Sequence, residues 1–464
     1  MAVRARYLDL APGMEKSDMK KNCLKNLIIV LSFLAIIFAG CASTKASDED
    51  PYYKSNIGEF STHTLSNKIP VVVKKSGSQI VVVRVVFEGG TPLIAPEKSG
   101  IEGLLLNLML HGGREYSYEE IQKMQYDKTF TLNSSSGKDY SVMGLKCIKK
   151  DFDSVFSVFS DAVNSPLLEQ SDFDKFILQE KDGVQRSLSD PSEQLSIELY
   201  KTLYDDSAYK TSPDFTEQSV NSVTLEDVKA HYKKLMDSNR IKIVVVGNFE
   251  GEELETLIAK LDGAFGSIAA GGWKKPAAGR LNFNKADKTI INPNAGASAY
   301  SAGLFYCPNR YDKDYVAFAI SLMYLDDIFF SHVREEGGAV YSIGSGVLSG
   351  RNMAGVISAY KISDKENIRR LISESIAMFP DKKGVEAKLD QYKNKYITTL
   401  FDSGQNAAGV AANIVTSLEY SDFYGTYLKR SKQVQDVSAK DVIDAYKKYI
   451  GDGTKIFWVT ITGD

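Results

Sequence analysis

The chain repeats itself. Val223-Thr224-Leu225-Glu226-Asp227-Val228 returns as Val437-Ser438-Ala439-Lys440-Asp441-Val442, and Tyr232-Lys233-Lys234 returns as Tyr446-Lys447-Lys448, both at an offset of 214 residues. In each copy a hydroxyl residue, Thr224 or Ser438, stands at a helix N-cap position. An amphipathic helix follows, and an apolar stretch (241–246 or 455–461) closes the unit as a strand. A second pair of segments agrees. Phe152, Val155, Phe156, Phe159, Ala162 and Val163 share one helical face ended by Pro166. Ile368, Leu371, Ile372, Ile376 and Phe379 repeat the pattern before Pro380, shifted by 216. Agreement of cap, helical period and closing strand is the mark of a duplication.

A 464-residue chain of this kind is expected to form two similar domains of about 200 residues each. They are placed at 57–265 and 286–464, joined by a Gly/Ala/Pro/Lys-rich linker, 266–285, with Trp273 as its one large anchor. Strands and helices mix within each copy, so the fold class is α+β: a mixed or antiparallel sheet covered by helices, twice over. In the first copy, residues 70–73 and 80–87 flank the turn-forming Lys75-Ser76-Gly77-Ser78 and predict a β-hairpin. The second of these strands is almost entirely β-branched, which predicts burial on both faces. Gly89-Gly90 end it.

Composition narrows the function. Net charge is −3, and no basic patch interleaved with aromatics supports nucleic-acid binding. Four cysteines are too few for a disulfide scaffold of this size. The four histidines, His63, His111, His231 and His332, stand far apart, so no pair shares a helix face as a zinc motif would require.

The N-terminus reads as an address. Lys20, Lys21 and Lys25 precede the apolar run 27–40, and Ala39-Gly40 precede Cys41. The run is short for a membrane span and suits a secretory segment. The order of charge, apolar run, small residues and cysteine resembles a bacterial lipoprotein signal, which implies lipidation of Cys41. An ordinary signal peptide and a short anchor are the other readings of the same run. Residues 1–18 fit no part of a signal, and Met19 is the better start. On this reading 1–40 is removed, leaving 50 basic against 56 acidic residues, and 41–56 is a flexible tether. The mature protein is then expected to be exported and lipid-anchored to the bacterial cell envelope. Cys147 and Cys307 remain and could pair there.

Two segments carry a family resemblance. Ser99-Gly100-Ile101-Glu102-Gly103-Leu104-Leu105-Leu106-Asn107-Leu108-Met109-Leu110-His111-Gly112-Gly113 aligns with the metal helix of the insulinase-like metallopeptidases, which include pitrilysin and the mitochondrial processing peptidases. Phe329-Phe330-Ser331-His332-Val333-Arg334-Glu335-Glu336-Gly337-Gly338-Ala339-Val340-Tyr341-Ser342 resembles that family's Arg-Glu-Lys-Arg-Gly-Leu-Ala-Tyr-Ser segment. The resemblance covers nearly all of 57–464. It implies two pseudo-repeated domains forming half of a clam-shell in which an extended peptide is cut.

The resemblance also implies what is missing. The family's inverted motif, H-x-x-E-H, puts two imidazoles on one helix face for zinc and a glutamate between them as proton acceptor. Here the first histidine falls on Gly103, the glutamate on Leu106 and the second histidine on Asn107. The distant third ligand falls on or near Gly183, with Glu180 and Asp182 close by. No metal site is expected in this chain, no cofactor is expected to be held by it, and His111 reads as a helix-end residue. The second segment is kept. The resemblance implies that Arg334 and Tyr341 hold substrate backbone and stabilise the oxyanion at the zinc of another half. It also implies that the edge strand Asn133-Ser134-Ser135-Ser136 adds a peptide to the sheet, although these small polar residues equally suit a plain surface hairpin. The expected function is that of a non-catalytic subunit, inactive alone and paired with a zinc-bearing homologous chain. The alternative is a peptide-binding or structural pseudopeptidase of the envelope.

Overall fold

Why the apolar strands are double-sided becomes plain from the strand order. In the computed structural model the described residues are 50–278 and 281–464; the leader reading, Cys41 and the start of the tether lie outside them. Among the described residues eleven strands form two sheets. The first contains β1 (Phe60–Thr64), β2 (Pro70–Lys75), β3 (Ile80–Glu88), β4 (Phe130–Ser135), β5 (Tyr140–Ile148) and β6 (Ile241–Gly247), in the order β1-β2-β6-β3-β5-β4. The second contains β7 (Lys288–Ile291), β8 (Ala299–Tyr306), β9 (Val340–Leu348), β10 (Ala354–Ile362) and β11 (Phe457–Thr462), in the order β7-β11-β8-β10-β9. Setting β1 aside, the two orders are the same. The β2·β6 and β7·β11 pairs are parallel, and every other pair is antiparallel. The chain thus folds as two duplicated α+β domains with mixed sheets.

The hairpin expectation fails. β2 and β3 are consecutive but do not pair, because β6 lies between them, parallel to β2 and antiparallel to β3. The physical reason is burial. β6 is apolar on both faces and all but one of its residues are buried, so it is most stable in the middle of the sheet.

The helices repeat as well. In the first domain they are α1 (Ile101–Met109), α2 (Tyr118–Asp127), α3 (Phe152–Asn164), α4 (Gln170–Ser189), α5 (Pro191–Tyr204), α6 (Glu217–Ser222), α7 (Leu225–Leu235) and α8 (Gly251–Phe265). In the second they are α9 (Tyr315–Ile328), α10 (Ile368–Ala377), α11 (Lys382–Gly404), α12 (Ala407–Ser421), α13 (Arg430–Asp436) and α14 (Ala439–Tyr449). The caps are the same in both copies. Thr224 Oγ1 accepts from the Asp227 N–H at 3.2 Å while the Asp227 carboxylate accepts from the Thr224 N–H at 2.9 Å. Ser438 and Asp441 repeat this pair at 3.2 and 2.9 Å. Together α9 and the helical segment after it are long and apolar enough to cross a membrane. However, 56% of the most apolar window is buried inside the fold, as in a core helix.

Each sheet has its own inner core, and each outer face is covered by a helix of the other domain. Ala407, Ala411, Ile414 and Val415 of α12 pack on Val72, Val82, Val86, Val142, Val244 and Val246 of the first sheet. Leu195, Leu199 and Leu203 of α5 pack with Ala302, Leu304, Val459 and Ile461 of the second. At ~1.5–3 kcal/mol for each fully buried large side chain, this exchange binds the two domains together. Cys147 and Cys307 are free thiols buried in the two different inner cores. The linker is strapped down: Asp237 accepts from the Gly271 and Trp273 N–H groups at 2.8 and 3.1 Å, and Arg351 donates to the Pro276 carbonyl.

Candidate functional site

α1 carries the positions where the family holds its metal. The helix begins after Gly100, whose φ of +82° is open to glycine and strained for other residues. Leu106 is fully buried in the first core. Asn107 Oδ1 accepts a hydrogen bond from Ser134 Oγ of β4 at 3.1 Å. Gly103 faces Ser136, whose Oγ would lie 2.9 Å from any Cβ placed there. An amide, two alcohols and a glycine therefore meet where two imidazoles would stand, and none of them is a strong zinc donor. Gly183, on α4, opens onto empty space. Nearby on the same helix, burial and the Asp214 charge push the Glu180 carboxyl up. Among the described residues no group of three or more His, Cys, Asp or Glu could hold a metal ion. His111 stacks on Tyr118 at 4.2 Å and meets the edge of Phe176 at 4.6 Å, with Nδ1 3.4 Å from Asp172 Oδ1. It helps line a cavity of about 350 Å³ beside Asn107, Gln122 and Leu132.

Glu102, next to Gly103, points the other way, into the core. It is 2% exposed and accepts from Arg240 Nη2 at 3.0 Å, while His231 Nε2 pairs with it at 2.9 Å and Ser141 Oγ donates to its other oxygen. Burial alone would raise this carboxyl. The hydrogen bond from His231 and the Arg240 charge outweigh it and hold the group at about 2. This acid is a structural member of α1. Sequence reasoning missed the network; its one local signal was a charged residue inside an otherwise apolar helix.

Asn133 and Ser135 are exposed on β4, the edge strand of the first sheet, while Ser134 and Ser136 turn towards α1. Asn133 Oδ1 accepts from Arg84 Nη1 at 2.6 Å. That bond runs across Gly144, where a Cβ would come within 2.4 Å of the guanidinium and would have to displace it.

The second cluster lies in the other domain. α9 runs on into a π-helical segment, Phe329–Glu336, which ends at Gly337 and at Gly338 with φ +57°. This wide turn carries Phe330 and Arg334. The Arg334 guanidinium sits 5.3 Å from the Phe330 ring centre and 5.7 Å from that of Tyr341 on β9. Lys361 Nζ lies 5.6 Å from the same Tyr341 ring. Tyr341 is 66% exposed and Phe330 46%. Among the described residues no carboxylate lies within 4 Å of Arg334 or Lys361. Sequence reasoning did not single out Lys361 or Phe330. The structure brings Gly103, Asn107, Ser134 and Ser136 together in one place and Arg334 and Tyr341 in another. No hydrogen bond, ion pair or ring contact joins the two sets.

The fold and site define a duplicated two-domain α+β protein of peptidase-like architecture, with no strong zinc donor on its α1 face and a solvent-facing arginine–tyrosine pair. Residues 70–213 match the profile described as Insulinase (Peptidase family M16), and residues 222–396 match the one described as Peptidase M16 inactive domain. The chain belongs to the insulinase (M16) family. It is 19% identical over 395 residues to the non-peptidase homolog YmxG of Helicobacter pylori, covering 82% of this chain and 89% of that one. It is 23% identical over 276 residues to mitochondrial-processing peptidase subunit alpha-1 of Dictyostelium discoideum, covering 59% of this chain but only 41% of that relative. A solved structure of a protease from Helicobacter pylori superposes with a TM-score of 0.76 at 18% identity, covering 87% of this chain and 99% of that one. At that identity the likeness is one of fold.

Proposed function

We propose that this chain is the non-catalytic subunit of a two-chain insulinase-like zinc peptidase. The observation that carries the reading is the state of Arg334: a solvent-facing guanidinium without a carboxylate partner, stacked against an equally open Tyr341 phenol. A structural arginine is normally paired or buried; one held only by aromatic faces keeps its donors free for a ligand. Zinc on the partner chain would supply the activated water. In this chain, the guanidinium and the phenol O–H would hold the backbone of an extended peptide and donate to the oxygen that gains charge as its carbonyl is attacked. The edge strand with Asn133, Ser134, Ser135 and Ser136 would align that peptide by backbone hydrogen bonds. That one relative is a mitochondrial-processing peptidase subunit supports a homologous partner.

The description of another relative as a non-peptidase homolog favours the second reading, a peptide-binding or structural pseudopeptidase. Mixing decides between them. The purified chain and a zinc-bearing homologous chain from the same organism are expected to cleave an extended peptide together, and this chain alone is not. A partner that is fully active without this chain supports the pseudopeptidase.

The proposal includes place. Export and lipidation through Cys41 would set the complex in the cell envelope. Cells fed labelled palmitate are expected to label the wild-type chain and leave Cys41→Ser unlabelled. Equal labelling of both would remove the anchor.

A further inference from the structure

We infer that Lys361 is a specificity-determining residue: with Arg334 it flanks the Tyr341 ring to receive a carboxylate, that of an acidic side chain in an extended peptide lying across β9. This rests on the reading of Arg334 and Tyr341 above and names the class of peptide they take.

The backbone supplies the first observation. The β10·β8 register breaks between Ala359 and Ile362, and Lys361, inside that bulge, has φ +52°. A left-handed backbone is unfavourable for lysine, and glycine would relieve it. Bulges re-aim a side chain, and strained non-glycine residues gather where a ligand is held. In the β10·β9 ladder the pairs Tyr360↔Ser342 and Ile362↔Val340 set Lys361 opposite Tyr341, and its Nζ comes to 5.6 Å from that ring centre.

The second observation is charge. Two cations lie within 6 Å of the centre of one exposed ring, Arg334 at 5.7 Å and Lys361 at 5.6 Å, and neither is neutralised by a carboxylate of the described chain. Acids do stand near in sequence, but Glu336 is turned to His332 at 3.4 Å and Asp364 accepts from the Asn367 side chain at 2.9 Å. The phenol O–H of Tyr341 adds a neutral donor, and Phe330 an exposed apolar wall beside Arg334. Two cations and one hydroxyl around an open ring match a carboxylate, with the guanidinium giving direction and the ammonium a point charge.

The test uses the full chain and pairs of short fluorescent extended peptides that differ only in one Asp or Asn. Anisotropy on the isolated chain is expected to show about fivefold tighter binding of the Asp peptide, a preference that weakens with salt. Lys361→Gln should abolish that preference, weakening Asp-peptide binding far more than Asn-peptide binding, and Lys361→Glu should reverse it. Lys361 is exposed, so both variants are expected to fold. The inference is overturned by an Asp preference that survives in Lys361→Gln, by a wild-type chain that does not distinguish the peptides, or by one that binds neither. Failure here leaves the subunit reading standing if the mixed complex still depends on Arg334. Loss of that dependence with the Lys361 preference intact removes the subunit reading alone.

Discussion

Glu102→Gln is expected to destabilise the protein by about 3–5 kcal/mol, measured by urea unfolding. The substitution keeps the shape and removes the charge. It leaves Arg240, itself 2% exposed, as a buried cation with only neutral acceptors, the new amide oxygen and the Glu88 and Lys234 carbonyls. Replacing Arg240 by Leu in the Glu102→Gln background is expected to recover part of the loss, because the uncompensated charge is then gone. The same pair predicts a pH dependence. Glu102 is held at about 2 against an ordinary 4.5, so its folded value is depressed. Its stabilisation, about 3 kcal/mol, is present above the unfolded value and is lost as pH falls from about 4.5 towards 2. A Glu102→Gln protein within 1 kcal/mol of wild type, with an unchanged acid limb, would show that the network holds nothing together.

Arg334→Ala is expected to lower kcat of the mixed complex by about 10²–10³, the usual cost of one lost donor to a developing oxyanion. It should leave the stability of the isolated chain within about 0.5 kcal/mol, since the side chain is exposed and makes only ring contacts. That separation is what makes the variant informative: a structural arginine would move stability first. Tyr341→Phe keeps the ring that positions Arg334 and loses only the phenol donor, so its effect should be smaller than that of Tyr341→Ala. A mixture with Arg334→Ala as active as wild type would remove the assigned role.

The parts of the fold legible in the sequence are those set by neighbours along the chain. The Thr224 and Ser438 capping boxes, the apolar face of α3 and the end of the Arg334 helix at Gly337-Gly338 each depend on a few adjacent residues. The failures depend on distant ones. β6 separates β2 from β3 because a strand from far along the chain is more apolar than either flank requires, and a turn signal at Ser76-Gly77 cannot report that. The partners of Glu102 lie 129 and 138 residues away. The double-sided burial of β3 was visible, but not its cause, which is α12 of the other domain. In the candidate site, the loss of zinc donors was legible because a motif is local. Lys361 was not, because only the pairing of β10 with β9, and no pattern of residue types, sets it opposite Tyr341.

An α1 face of Gly103, Leu106 and Asn107 has no strong donor with which to hold zinc. Elemental analysis of the purified, partner-free chain after incubation with zinc and extensive dialysis, run beside a peptide-cleavage assay, tests this most directly. The account predicts far less than one zinc per chain and no cleavage. One tightly held zinc per chain, with cleavage that a chelator abolishes and added zinc restores, would contradict it.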